Sequence, residues 1–399
     1  MLGYRRKSFE RVHAILREIV QSPEDIRRVL ACQRILLQEI LRAEAHISRH
    51  KDEMRATRIT LKTSRPDRSE AQRLKRRIRW IQARIEAYWH LIYIWRCFGD
   101  GIAFSYLDKH AIKHAFYETE SSAIKQDAGF LSGKKGLDGE LSVVTAMIED
   151  GVPSILVDVT NSIRHGDVCL LLGPDPYLIE IKSASRINAR GRRQIAHIDK
   201  LHTFYETDIG VGLRGFPELR RVATDITERR YVDEINVCMD HAERGGFCVA
   251  NPEAGLYYVA MYKDPGMRTL FESLPVEKPL VLFLNEYKSN QAWSPYFPFT
   301  ISIKGERHLY DFVRGNLLLL VILDPGILCQ HVSLRGFDAQ FEHDADFPLQ
   351  CKDRRTGGKF NVSHHLLLRV ALEFLSPESF VELALGVWSS GASAAAPLA

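Results

Sequence analysis

The chain has 399 residues, 45% hydrophobic and 26% charged, a balance that excludes wholesale disorder and leaves room for roughly two or three domains with cores of their own. The formal net charge is only +4, yet the first hundred residues carry 23 Lys and Arg against 12 Asp and Glu. Attraction to a polyanion is therefore concentrated at the N-terminal end. Seven scattered cysteines without a C-x-x-C pair fit reduced thiols in a cytoplasm and argue against a zinc site. The basic N-terminus has no apolar segment behind it, and the longest apolar run, LLLLVIL at 317–323, is far short of the ~20 residues that span a bilayer. A soluble cytoplasmic protein with no membrane partner is expected.

From about Lys7 to Cys97 the pattern is helical. Ser22-Pro23-Glu24-Asp25 reads as a helix start, with a capping residue, proline in the first turn and acids behind it. Nothing breaks the helix before about Lys62, a run of roughly 40 residues and ~60 Å. SRPDRSE then turns the chain, and Leu74, Ile78, Ile81, Ile85, Tyr88, Ile92 and Trp95 follow as a heptad seam. That seam needs a partner, either the preceding helix in an antiparallel hairpin or a second copy of the chain, so a homo-oligomer, a dimer through these helices, is expected. The basic segment RLKRRIRW, 73–80, reads either as a solvated coiled-coil face or as a contact with nucleic-acid phosphates. Trp80 and Trp89 at helical spacing read as packing rather than as a site.

FGDGIAF predicts a break, AFSYLDKHAIKHAFYETESS a further helix, and LSGKKGLDGE a Gly/Lys loop. The character then changes to mixed α/β: a helix over 137–150, a strand SILVDV, two strands around GPDP, a helix RRQIAHIDKLHTFYE, a helix YVDEINVCMDHAE and a strand GLYYVAMYK. Beyond about Val276, PLVLFLNEYK, FPFTISI and NLLLLVIL predict strands, and SSGASAAAPLA a flexible tail. The expected organisation is a helical region over 1–125, an α/β core over 126–275, a β-rich region over 276–390 and a tail over 391–399.

The chemistry lies in RHGDVCLLLGPDPYLIEIKSAS, 164–185, where Asp167, Glu180 and Lys182 interrupt two apolar strands. Strand periodicity puts Glu180 and Lys182 on one face, and the short GPDP connection makes the strands antiparallel neighbours, with Asp175 a turn-former and His165 a turn residue rather than a base. Asp167 then lies across from Glu180 and Lys182, where two carboxylates and the carbonyl of Ile181 can hold a hard cation such as Mg²⁺ or Mn²⁺. Such an ion acidifies a bound water and neutralises charge on a phosphate, and Lys182 beside it can orient that water or stabilise the transition state. The bland alternative is an exposed Glu180–Lys182 pair on an edge strand, worth under about 1 kcal/mol.

An acid, a gap and then Glu180-Ile181-Lys182 on the next strand resembles the PD-(D/E)XK, or restriction-endonuclease-like, nuclease superfamily. GKKGLDGELSVVTAMIEDG is similar to the G-x-x-G-E helix start of its nuclease-related-domain subgroup. The resemblance covers about Gly133 to Asp208. It implies a restriction-endonuclease-like mixed sheet flanked by helices, with Glu140 as a further acid and metal ligand from the first helix. It also implies Gln194, on the helix after the E-x-K strand, as a residue facing the site; read by itself, that glutamine fits a solvated helix face equally. One departure is the glycine, rather than proline, before Asp167.

No G-x-x-x-x-G-K-[ST] loop, G-x-S-x-G elbow or helical metal-binding His pair occurs. The expectation is a divalent-metal-dependent nuclease, an endodeoxyribonuclease acting on DNA in defence against foreign DNA or in repair and restriction. The alternative is a non-catalytic nucleic-acid-binding or scaffold protein that keeps the fold and works through its helices and a protein partner.

Overall fold

The computed structural model describes residues 5–64, 66–134, 136–181, 189–222, 225–264 and 266–394, with the backbone alone for 190 and 389–394. It is mixed α/β. The chain divides into two compact units, Met1–Leu219 and Arg220–Ala399.

The first unit opens with helices α1 (Arg6–Gln21), α2 (Arg27–Thr63) and α3 (Arg68–Tyr106). The Ser22-Pro23 helix start is displaced: residues 22–26 form a turn, and α2 begins at Arg27 without a side-chain cap. By contrast Asp67 caps α3 by accepting the Glu70 N–H at 2.9 Å. The heptad seam finds its partner within the chain. Ile81, Ile85, Tyr88 and Ile92 are buried, as are Leu36, Ile40 and Ile47 of α2, and cross-helix pairs run in reverse order, with Arg77 on Glu53 and Tyr88 stacked on His46. The hairpin alternative thus holds, and this seam does not call for a second copy. Phe9 of α1 packs edge-on to Phe98 of α3, centroids 5.2 Å apart.

The predicted break at FGDGIAF is absent, because α3 runs straight through it to Tyr106. Gly99 is needed there for closeness rather than for a turn: a Cβ on it would lie 1.9 Å from the Val159 carbonyl oxygen. The helix predicted after the break shrinks to α4 (Lys109–His114), capped by Asp108. Next come α5 (Leu137–Glu149), β1 (Ser154–Leu156), a 3₁₀ turn at 157–159, β2 (Val168–Leu170), β3 (Tyr177–Ile179) and α6 (Ala189–Thr207). The sheet order is β1-β2-β3, with Ile155 opposite Cys169 and Cys169 opposite Leu178. β4 (Ile209–Val211) and β5 (Glu218–Arg220) form a two-stranded sheet.

The second unit holds α7 (Val232–Gly245), β6 (Phe247–Glu253), β7 (Leu256–Met261), α8 (Met267–Ser273), β8 (Leu280–Phe283), α9 (Leu284–Ser289), α10 (Phe299–Ser302), α11 (Glu306–Arg314) and β9 (Leu318–Leu323). Its main sheet has the order β6-β7-β9-β8, and the apolar run at 317–323 is the buried β9. Then come α12 (Pro325–Leu334), the sheet β10 (Phe337–Phe341), β11 (Leu349–Asp353) and β12 (Lys359–Val362), and helices α13 (His364–Leu372) and α14 (Pro377–Ala394).

Several expectations are corrected. FPFTISI is the short helix α10 rather than a strand, and α14 extends to Ala394, past the start predicted for the tail. The region beyond 276 is α/β rather than β-rich. A boundary at 275/276 would cut β6 and β7 from β9 and β8 of the same sheet. The boundary at 125/126 would cut α2 and α3 from the strands they hold. The sheet expected to be mixed is antiparallel in both pairings of β1, β2 and β3, as is the main sheet of the second unit.

Candidate active site

Four buried side chains of α2 and α3 fix the backbone around the site. The Gln33 amide brackets β1, donating to the Ser154 carbonyl and accepting from the Leu156 N–H, both at 2.8 Å. This satisfies a strand edge that would otherwise be buried without partners. Glu44 accepts the N–H groups of Leu131 and Ser132 at 2.8 and 2.7 Å, holding the loop that leads to Lys134. Asp100 accepts the Asn161 and Ser162 N–H groups, each at 2.8 Å, and the Ser162 hydroxyl at 2.7 Å. Burial raises the Asp100 pKa, and these donors oppose the rise. Arg96 donates to the Asp158 carbonyl at 3.0 Å.

Onto this frame three carboxylates converge. The Lys134 Nζ lies 2.8 Å from Glu140 Oε2, 2.7 Å from Asp158 Oδ2 and 3.3 Å from Asp167 Oδ1. Glu140 comes from the first turn of α5, Asp158 from the 3₁₀ turn after β1, and Asp167 from the residue before β2. Burial raises the Glu140 pKa; Lys134 opposes that, and the Asp167 charge adds to it. Burial alone would lower the Lys134 pKa, but Asp158 and then Glu140 and Asp167 hold it above its ordinary value. Asp167 is fixed on both sides: its N–H donates to Ile179 O at 2.8 Å, its carbonyl accepts from Val157 N–H at 3.0 Å, and Oδ2 accepts from Ile181 N–H at 2.8 Å. The residue before it has a physical reason to be glycine, since Gly166 has φ +79 and a Cβ there would lie 2.9 Å from the Ile179 oxygen. Proline, locked near φ −65°, cannot take that conformation.

Lys134, Asp158 and Asp167 line a cavity of about 460 Å³ whose other walls include Lys125, Arg164, Arg193, Gln194 and His197. Glu118 and Asp127 line it as well, so the lining mixes acids with the bases Lys125, Arg164 and Arg193. Lys125 Nζ lies 3.3 Å from His165 Nδ1, and His165 Nε2 lies 2.9 Å from the Tyr117 carbonyl. That geometry places the imidazole proton on Nε2, with Nδ1 accepting from the ammonium. Burial, then Lys125, pushes the His165 pKa down to about 4, so it is neutral near pH 7 and fits the structural role its sequence context gives it. Among the groups facing the cavity, Asp127 and Arg164 pair with each other at 2.5 Å.

The sequence-derived set is brought together in part. Glu140 and Asp167 meet through Lys134, and Gln194 shares the cavity with Asp167. Ile181 touches Asp167 through its N–H rather than through the carbonyl expected as a ligand. Glu180 follows β3 and is half-buried, but it is not one of the carboxylates gathered by Lys134. Lys182 lies outside the described residues. Sequence reasoning misses two members. Asp158 is the one charge in SILVDV, the same signal that singles out Asp167. Lys134 belongs to SGKKGLDGE, which by spacing alone is only a phosphate loop that fails its pattern.

No protein-family model matches the chain, and no curated protein or solved structure does either. Among the described residues, no group of three or more His, Cys, Asp or Glu side chains stands ready to hold a metal ion, since the three carboxylates close on an ammonium instead. Their chemistry nonetheless suits one: three hard oxygen donors, partly buried, around a point already occupied by positive charge. No described helix is long and apolar enough to cross a membrane.

Proposed function

We propose that the chain is a divalent-metal-dependent nuclease that hydrolyses DNA phosphodiester bonds in the cavity of the first unit. One observation carries the reading: Glu140, Asp158 and Asp167, from three separate elements, converge on Lys134, and Asp158 and Asp167 line a cavity that Lys125, Arg164 and Arg193 also line. Burying three carboxylates together is costly unless cations complete them, and basic side chains in the same cavity suit a phosphate. The order helix, three antiparallel strands, helix is also the order in which the nuclease resemblance places Glu140, Asp167, Glu180-Ile181-Lys182 and Gln194.

Asp167, Glu140 and Asp158 would hold the ion, Mg²⁺ or Mn²⁺. When bound, it supplies charge neutralisation on the phosphate and a more acidic water. Lys125 and Arg193 orient the phosphodiester, and Lys182 stabilises the charge that develops as water adds to phosphorus and the P–O bond to the leaving sugar breaks. Calorimetric titration with Mn²⁺ tests the reading: binding by the wild-type chain that is lost in Asp167→Asn and Glu140→Gln supports it, and equal binding by all three opposes it.

A second reading is favoured by Lys134 itself. Its ammonium already completes the acids, as it would in a non-catalytic binding protein that keeps the fold. No Mn²⁺ uptake by any of the proteins, with DNA binding retained in Asp167→Asn, would favour that reading.

A further inference from the structure

The α2–α3 hairpin is longer than its core. From residue 48 on α2 to residue 80 on α3 no described side chain is fully buried; the last buried positions are Ile47 and Ile81. The tip is thus an arm of about 24 Å, at 1.5 Å per residue. Residues 51–79 contain 11 Lys and Arg against four Asp and Glu. Glu53 and Glu70 are engaged by Arg77 and Arg73. Arg55, Arg58 and Lys62 on α2, and Lys75, Arg76 and Arg79 on α3, are exposed and make no ion pair among the described residues. The first three recur at spacings of three and four, and so form one stripe along the helix. At the base of the arm Trp80 stands 46% exposed, with the Arg77 guanidinium 4.3 Å over its ring.

A helical rod that is polar all round and charged well beyond its acids holds itself together through its partner helix and offers the rest to a polyanion. We infer that this arm is the docking surface for the phosphate backbone of duplex DNA. The inference rests on the nuclease reading for its choice of DNA and names the surface that grips the substrate away from the cavity. Three alternatives fit less well. A second copy would bring like charges together. An anionic membrane would need an apolar face, which isolated Ile59 and Trp80 do not make. A folded or single-stranded RNA matches a straight rod less closely than a stiff duplex with a charge every ~1.7 Å of its axis.

The test uses the full chain in EDTA, where divalent-dependent cleavage cannot intervene, and a fluorescent duplex of about 30 base pairs titrated across ~50–200 mM salt. The variant replaces Arg55, Arg58, Lys62, Lys75, Arg76 and Arg79 with Gln, which keeps helix propensity; circular dichroism checks that it folds. Kd should weaken at least about ten-fold, and the slope of log K against log salt should fall by about 0.9 for each phosphate the variant no longer neutralises. A folded variant with wild-type Kd and slope overturns the inference. So does wild-type binding that is tighter to single-stranded RNA or to phosphatidylserine vesicles than to the duplex. If the wild-type chain cleaves no DNA with Mn²⁺ yet the variant loses duplex binding, the arm stands and the nuclease reading falls. Mn²⁺-dependent cleavage by both proteins with identical salt dependence leaves the nuclease reading and removes the arm.

Discussion

Lys134 Nζ lies 2.7 Å from Asp158 Oδ2, and through this pair the loop held by Glu44 is joined to the end of β1. Asp158 is also the partner that does most to raise the Lys134 pKa. It therefore belongs to the same charge group as Glu140 and Asp167. Asp158→Asn should reduce divalent-dependent DNA cleavage at least about 100-fold, on the order of 2.7 kcal/mol in transition-state stabilisation, with an unchanged circular dichroism spectrum. Cleavage within a few-fold of wild type would remove Asp158 from the site.

Removing the ammonium should expose the cost of what it compensates. Lys134→Met leaves Glu140, only 4% exposed at its side chain, and two further acids without their counter-charge. A loss of about 3 kcal/mol is expected, as when one partner of a buried pair is deleted. Mn²⁺ should restore more stability to this variant than to wild type, because the ion takes over the missing charge. Thermal melts with and without Mn²⁺ read both effects, and equal Mn²⁺ shifts in the two proteins would contradict the account.

The frame under the site is as sensitive as the site. Gln33→Leu strands the Ser154 carbonyl and Leu156 N–H in a buried position, at about 1–3 kcal/mol for each unmade bond. Gly99→Ala drives a methyl to 1.9 Å from the Val159 oxygen and should cost about 2–3 kcal/mol as α3 is pushed off the 157–162 segment. Urea midpoints for the two variants measure this. A Gly99→Ala protein as stable as wild type would mean that α3 does not press on that segment.

Much of the first unit is legible in its sequence because its signals are local. The heptad seam calls for a partner, the preceding helix or a second copy, and GPDP between apolar runs predicts the β2–β3 pair that sets Asp167 next to Ile181. Long-range closeness is not legible. Gly99 reads as a helix breaker until the Val159 carbonyl is seen against it, and the role of Lys134 depends on acids 6, 24 and 33 residues away. FPFTISI has strand-like composition, but Trp293 and Phe312 pack around Phe299 in a short helix; tertiary packing overrides propensity.

In the second unit, Lys288 is 3% exposed, and its Nζ donates to the Phe312 and Val313 carbonyls at 2.7 and 3.0 Å. Burial lowers its pKa from 10.5 to about 8. Below that value the ammonium is charged in both states, and burying it costs stability. Between about 8 and 10.5 the unfolded chain keeps a proton that the folded chain has lost, so this group's contribution to stability rises with pH across that window. Relative to Lys288→Met, wild type should gain at most about 3 kcal/mol between pH ~7.5 and ~10.5. Urea melts at the two pH values check the difference, and parallel behaviour of the two proteins would contradict the assigned direction.

The central claim is tested most directly by incubating supercoiled plasmid DNA with the purified full chain in Mn²⁺, beside the same reaction in EDTA and the same reaction with Asp167→Asn. The account predicts nicked and linear products with the wild-type chain in Mn²⁺ alone. Intact plasmid in all three reactions, or equal cleavage by wild type and Asp167→Asn, would contradict it.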